Sequence, residues 1–237
     1  MPNFRETANA IPTTNFVQLK TLLRELAGDI PSEEGRNIFR GVMSIVANNT
    51  DYFEAPASTR FHLNEEKGLF RHSLGVTYRL RALDDAYGIF PLYSYLDVIL
   101  AGLLHDLGKA GQVSLVESSK NVPTQVGKKT YEITKTPYYV RRQLKSRPGD
   151  FEYKRNPEMV MMAIPVGSLH FIGTMLCDFW KPNPDVYQAI AYHDGMYVGE
   201  GQHVQHADCK LTVALHHADY WQSRVESEWK NGLNWKT

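Results

Sequence analysis

The stretch Leu100-Ala101-Gly102-Leu103-Leu104-His105-Asp106-Leu107-Gly108-Lys109 constrains this chain more than any other. Ile99, Leu100, Leu103 and Leu104 recur at helical spacing, which reads as a buried helix. The apolar run then meets adjacent His105 and Asp106, and burying such groups without partners costs several kcal/mol. A metal ion supplies the missing partner, because neutral imidazole and carboxylate are its usual ligands. Gly108 is expected to end the helix, which leaves Lys109 close enough to meet an anion held at the metal. A single His-Asp pair does not decide the matter, so the remaining ligand-capable residues have to.

The chain has 237 residues, of which 43% are apolar, enough for one sizeable core. Lys plus Arg and Asp plus Glu balance at 26 each, so no whole-molecule field selects a partner. Cys177 and Cys209 have no paired spacing, which suits a reducing compartment. The N-terminus lacks a basic-then-apolar signal pattern. No apolar run approaches the ~20 residues needed to cross a bilayer. A cytoplasmic protein without membrane contact is expected.

Residues 1–12 read as a loose arm. Thr13 or Thr14 is expected to cap a helix carrying Phe16, Leu19, Leu22, Leu23 and Leu26, with Gly28 as its stop. A second helix starts at Pro31-Ser32, places Ile38, Phe39, Val42, Ile45 and Val46 on one face, and ends at Asn48-Asn49. Residues 50–68 read as a loop. A third helix runs from about Phe70 to Tyr87, with His72, Val76, Leu80 and Leu83 on a stripe. Later helices carry His170 with Leu176, Val186 and Ile190 with His193, and Leu211, Leu215 and Ala218 with Asp219. Asn156-Pro157 resembles a helix start; Pro165 is expected to interrupt that segment, with a helix from Val166 to about Phe179 following it. The final helix is expected to span about Ala207 to Lys230. The expected fold class is therefore all-α: a compact helical bundle with a small β-hairpin or loop insert. The expected division is an N-terminal helical extension over 1–59 and a main domain over 60–237, with the insert at about 111–156.

Five of these helices carry a metal-capable residue on or near an apolar stripe: His72, His105 with Asp106, His170, His193 and Asp219. A lone histidine on an apolar face is more often a satisfied core residue. Six ligand-type residues on five core helices are harder to dismiss, and nine histidines in all invite the search. Their order is H…HD…H…H…D.

That order resembles the HD superfamily of metal-dependent phosphohydrolases. His105-Asp106-Leu107-Gly108-Lys109 is similar to its central motif, and Lys67-Gly68-Leu69-Phe70-Arg71-His72-Ser73 is similar to the segment carrying its first ligand. His193-Asp194-Gly195 and Leu215-His216-His217-Ala218-Asp219 resemble its later motifs. The likeness extends over about Arg60 to Glu228, and is closest to stand-alone bacterial and phage HD hydrolases and to the HD domain of a bacterial 3′→5′ exoribonuclease. The resemblance implies an HD-domain bundle with His72, His105, Asp106 and Asp219 around one metal. Asp106 would bridge to a second metal held by His170 and His193. The cofactors expected are two divalent transition-metal ions per chain, from among Mn, Fe, Co, Ni and Zn. In the family pattern a glycine often directly precedes the third histidine, whereas here Ser168 and Leu169 separate Gly167 from His170.

The reaction that the resemblance implies is cleavage of a phosphoester by metal-activated water. Asp106 and Lys109 would be catalytic, with Lys109 binding a phosphate oxygen as a point charge. His216, one helical turn before Asp219, is a candidate to face the substrate or to support the ligands. His62, His203, His206 and His217 read as loop or surface residues. Between Ser118 and Asn156, ten Lys or Arg stand against three Asp or Glu. A hairpin is expected around Lys129-Thr134. Arg141, Arg142, Lys145 and Arg147 have Tyr138, Tyr139 and Phe151 nearby, a mix that suits stacking of a base and neutralising of phosphates. Arg141, Arg142 and Lys145 are the candidate substrate-binding residues there. The expected partner is a phosphorylated small molecule or a short single-stranded nucleic acid, and the substrate a nucleotide, a cyclic nucleotide or a nucleic-acid end. Two alternatives share these residues: a di-iron oxygenase of the same fold, and a non-catalytic nucleotide-binding module that keeps the metal as a staple.

Overall fold

A computed structural model describes residues 16–59, 63–88, 92–117, 131–144, 151–157, 162–195, 199–204 and 207–226. The N-terminal arm, the helix cap at Thr13 or Thr14, His62, His206, Lys145 and Arg147 lie outside them, as do residues 227–230 of the expected last helix. Among the described residues the protein is mostly α-helical with a small β insert. The helices are α1 (Phe16–Gly28), α2 (Glu33–Asn49), α3 (Gly68–Tyr87), α4 (Tyr95–Leu104), α5 (Ile164–Phe171), α6 (Pro184–Ala191) and α7 (Lys210–Trp221).

Local chemistry explains where these helices start. Ser32 and Ser94 cap α2 and α4, each accepting a hydrogen bond from the amide three residues on. Asn183 caps α6, and Pro184 takes its first position, where a missing N–H costs nothing. Pro165 likewise sits in the first turn of α5, which starts close to the expected Val166. Three segments end earlier than expected. α4 stops at Leu104 and is followed by a 3₁₀ turn over Leu107–Lys109. α5 and α7 pass into π-type turns at Ile172–Leu176 and Gln222–Glu226.

α3 and α4 form the centre. α4 is buried from Val98 to Leu104, and α3 is buried on nearly all sides from Gly68 to Tyr78. They approach closely at Gly102, where a Cβ would lie 2.6 Å from Thr77 Oγ1 and 2.9 Å from Thr77 Cα. Only glycine lets the two backbones come that near. Leu19, Leu26, Phe39, Val42 and Val46 from α1 and α2 belong to the same apolar core as Leu74, Leu100 and Leu103. Tyr52 Oη donates to Leu103 O at 2.7 Å and ties the loop after α2 to the end of α4. Tyr93 Oη donates to Asp185 at 2.7 Å and ties α6 to the segment before α4.

Among its described residues the insert contains two antiparallel pairs rather than one hairpin. β1 (Gln112–Glu117) pairs with β2 (Tyr131–Thr136), and β3 (Tyr139–Gln143) with β4 (Phe151–Arg155). Gly111 packs against the backbone of Thr136 and Pro137, where a Cβ would be 2.2 Å from Thr136 O. Asp51 holds the same glycine from the other side, accepting its N–H at 2.6 Å. The insert is thus docked two residues beyond Lys109. No described helix is long and apolar enough to cross a membrane.

Candidate metal centre

Four segments deliver five side chains to one point: His72 from α3, His105 and Asp106 from the end of α4, His193 from the turn after α6, and Asp219 from α7. His72 Nε2 lies 3.1 Å from Asp219 Oδ1, 3.3 Å from Asp106 Oδ2 and 3.3 Å from His105 Nε2. His105 Nε2 is 3.5 Å from Asp106 Oδ2 and 3.8 Å from Asp219 Oδ1. His193 Nε2 is 3.5 Å from Asp106 Oδ1. Among the described residues, ligand-capable atoms within 4.8 Å of one another form two overlapping groups, His72 with His105 and Asp106, and His105 with His193 and Asp219. The histidines and Asp106 are at most 2% exposed.

Hydrogen bonding decides which nitrogen faces the centre. His105 Nδ1 is 2.8 Å from Gly102 O, and His193 Nδ1 is 2.8 Å from Ile190 O. A carbonyl can only accept, so both Nδ1 atoms carry the proton, and in the neutral ring both Nε2 atoms present bare lone pairs inward. Those lone pairs meet carboxylates, which also only accept. Asp106 Oδ1 is buried and has no hydrogen-bond partner among the described residues. With the rings neutral, acceptors crowd this point, and a cation there satisfies them; imidazole with carboxylate suits a divalent transition metal. The residues therefore fit the group.

The electrostatics agree. Burial pushes the Asp106 carboxyl up, but Lys109 and His105 outweigh it and hold the group well below the usual carboxylate range. Asp219 is lowered in the same way, by His72 against burial. Burial disfavours a charged His193, yet Asp106 and Asp219 push its pKa up to about 9. His72 is raised by the same two carboxylates against its burial. Lys109 forms an ion pair with Asp106 Oδ2 and is raised by it despite its own burial.

The structure does not bring His170 to this point. Its side chain is exposed and belongs to neither group of clustered ligand atoms. The reason is helical phase. Ser168 is fully buried, and two residues along a helix turn the side chain about 200°, so the face that buries Ser168 exposes His170. Ser168 Oγ is 2.8 Å from both His105 O and Gly108 N. No periodic signal in the sequence singles this serine out.

The remaining candidates divide. His216 is half-buried, with Nδ1 2.7 Å from His193 O, so it supports the backbone behind a clustered histidine. Tyr139 is buried at the start of β3. Burial pushes its phenol up to about 12, with Asp106 adding and Lys109 opposing, which places it within electrostatic reach of both. Strand alternation puts Arg141 on the face of Tyr139 and Arg142 on the other. The pairing Arg141↔Tyr153 and Tyr139↔Arg155 adds two more residues to that face, and Phe151 shares it by alternation. The Arg141 guanidinium sits 3.9 Å from the centre of the Phe151 ring. Lys145 is outside the described residues.

A family model described as HD domain matches residues 69–224, a span that contains all five clustered side chains. No curated protein and no solved structure matches the chain.

Proposed function

This chain belongs to the HD-domain family, and on that premise we propose that it is a metal-dependent phosphohydrolase cleaving a phosphoester of a nucleotide or a nucleic-acid end. The observation that carries the proposal is the convergence of three imidazole Nε2 atoms and two carboxylates, with Asp106 Oδ1 left unpartnered. A divalent cation there supplies Lewis-acid charge that favours attack of water on a phosphoester.

The chain's own residues divide the remaining work. His72, His105, Asp106, His193 and Asp219 would hold the cation, and the Gly102 and Ile190 carbonyls fix two of the rings in the tautomer that ligation needs. Five donors at one point suit one ion. A two-ion centre, such as the di-iron alternative needs, lacks its sixth donor while His170 faces solvent. Lys109, paired with Asp106 at the edge of this group, would bind a phosphate oxygen of the substrate. Tyr139 lies within electrostatic reach of Lys109 and Asp106.

The substrate class follows from the hairpin face that begins at Tyr139. Arg141 and Arg155 offer charge to phosphates, and exposed Phe151 offers a ring to a base. The test is hydrolysis by the metal-loaded protein of nucleoside mono- and triphosphates, cyclic nucleotides and short single-stranded oligonucleotides. Turnover of one class that is lost in Asp106→Asn supports the proposal. No turnover of any of them, with the ion bound, contradicts it.

A further inference from the structure

We infer that Ser168 is a positioning residue for the metal ligands His105 and Asp106, because its hydroxyl is inserted into the helical turn that carries them. This rests on the metal-dependent reading above. In a continuing 3₁₀ turn the Gly108 amide would bond His105 O directly. Instead, Ser168 Oγ stands between the two, donating to His105 O and accepting from Gly108 N, each at 2.8 Å. The neighbouring amides are satisfied within the turn, Lys109 N by Asp106 O at 2.9 Å and Ala110 N by Leu107 O at 2.9 Å. The ladder is therefore opened at one bond.

That opening has a local consequence. Asp106, between the two bridged groups, has φ −101° and ψ 13°, off the regular helix and in the region where many active-site residues sit. The break lets adjacent residues aim at one point, which a regular helix forbids because it turns successive side chains 100° apart. A side chain inserted into the ladder is a recognised cause of such a break.

The geometry of α5 serves the same contact. A mid-helix serine ordinarily bonds its own i−4 carbonyl, and Ile164 O does lie 3.1 Å away. The shorter contact, however, goes across to His105. Glycines bring the two segments that close. A Cβ on Gly108 would be 2.1 Å from Ile164 O, and a Cβ on Gly167 would be 3.1 Å from Gly108 Cα. Thus α5, expected to bring a ligand, instead brings the hydroxyl that orients ligands from α4.

The experiment compares wild type with Ser168→Ala, Ser168→Thr and Leu26→Ala, the last a core variant in α1 remote from the turn. Three quantities are read: the melting temperature, the dissociation constant and visible spectrum of added Co²⁺, and hydrogen exchange of the Gly108 amide in metal-free protein. Ser168→Ala should weaken Co²⁺ binding roughly tenfold or more, the cost of losing a group that orients a ligand. It should also alter the spectrum and speed exchange at Gly108. Ser168→Thr, which keeps the hydroxyl, should restore all three. Leu26→Ala should lower the melting temperature without moving the other readouts. Ser168→Ala with wild-type affinity, spectrum and exchange overturns the inference, as does equal weakening by Leu26→Ala. If wild type binds no Co²⁺, the metal-dependent reading fails, and the exchange rate still decides whether Ser168 holds the turn. Should Ser168→Thr not fold, Ser168→Ala against Leu26→Ala decides alone.

Discussion

The Nε2 atoms of His72 and His105 face each other across 3.3 Å. The first comes from α3 and the second from α4, and the two helices can bring them together only because they cross at Gly102 and Thr77. A core packing detail therefore sets the separation of two proposed ligands. Gly102→Ala should push the helices apart and cost about 1–3 kcal/mol, the usual cost of overpacking. Thermal denaturation of metal-free protein checks the loss. Metal affinity, measured separately, should fall with it.

Asp106 is the carboxylate that meets the most partners. Asp106→Asn keeps its shape and removes its charge. It should reduce kcat/KM by more than the roughly 10–100-fold expected for a residue that only orients a ligand. Wild-type turnover and metal content in this variant would remove Asp106 from the site.

The raised pKa of His193 gives metal binding a pH dependence. Without metal the ring holds its proton up to about pH 9, and a cation must displace that proton. Affinity should therefore tighten as pH rises toward 9, by at most about tenfold per unit from this residue, and then level off. Calorimetry in two buffers of different ionisation enthalpy should show proton release at pH 7. The sign for the metal-free fold is opposite. A pKa raised from 6.5 to about 9 contributes stability that is full below 6.5 and is lost as pH rises through 9. Affinity that is flat over this range would contradict the assignment of His193.

Arg141 and Arg142 are adjacent in sequence but on opposite faces of β3. Arg141→Ala should raise KM for a multiply phosphorylated substrate with a smaller fall in kcat, since such contacts bind ground and transition states alike. Arg142→Ala should behave as wild type, and a nitrophenyl phosphate should not distinguish the two. Binding by wild type should also weaken more steeply with salt than binding by Arg141→Ala. Equal effects from both arginines would mean that the hairpin face does not meet the substrate.

Much of this was legible in the sequence, and the physical reasons differ by residue. The buried run into His105 and Asp106 and the placement of His72 among apolar residues follow from helical periodicity over long, strongly patterned segments. Ser32 marks a helix start by its own chemistry. His170 was not legible because α5 is only eight residues long and apolar on several sides. Its phase is set by glycine contacts with a turn about sixty residues away. Ser168 gave no signal because a hydroxyl inserted into another segment's turn leaves no period. The second strand pair escaped notice because Arg141 and Arg142 read only as charge, while their alternation has meaning once β3 exists.

The most direct measurement is metal content by elemental analysis after equilibration with one divalent metal, in wild type, His105→Ala and His170→Ala. Wild type and His170→Ala should each hold about one ion per chain, and His105→Ala almost none. A full ion retained by His105→Ala, or one lost from His170→Ala, would contradict the five-residue centre.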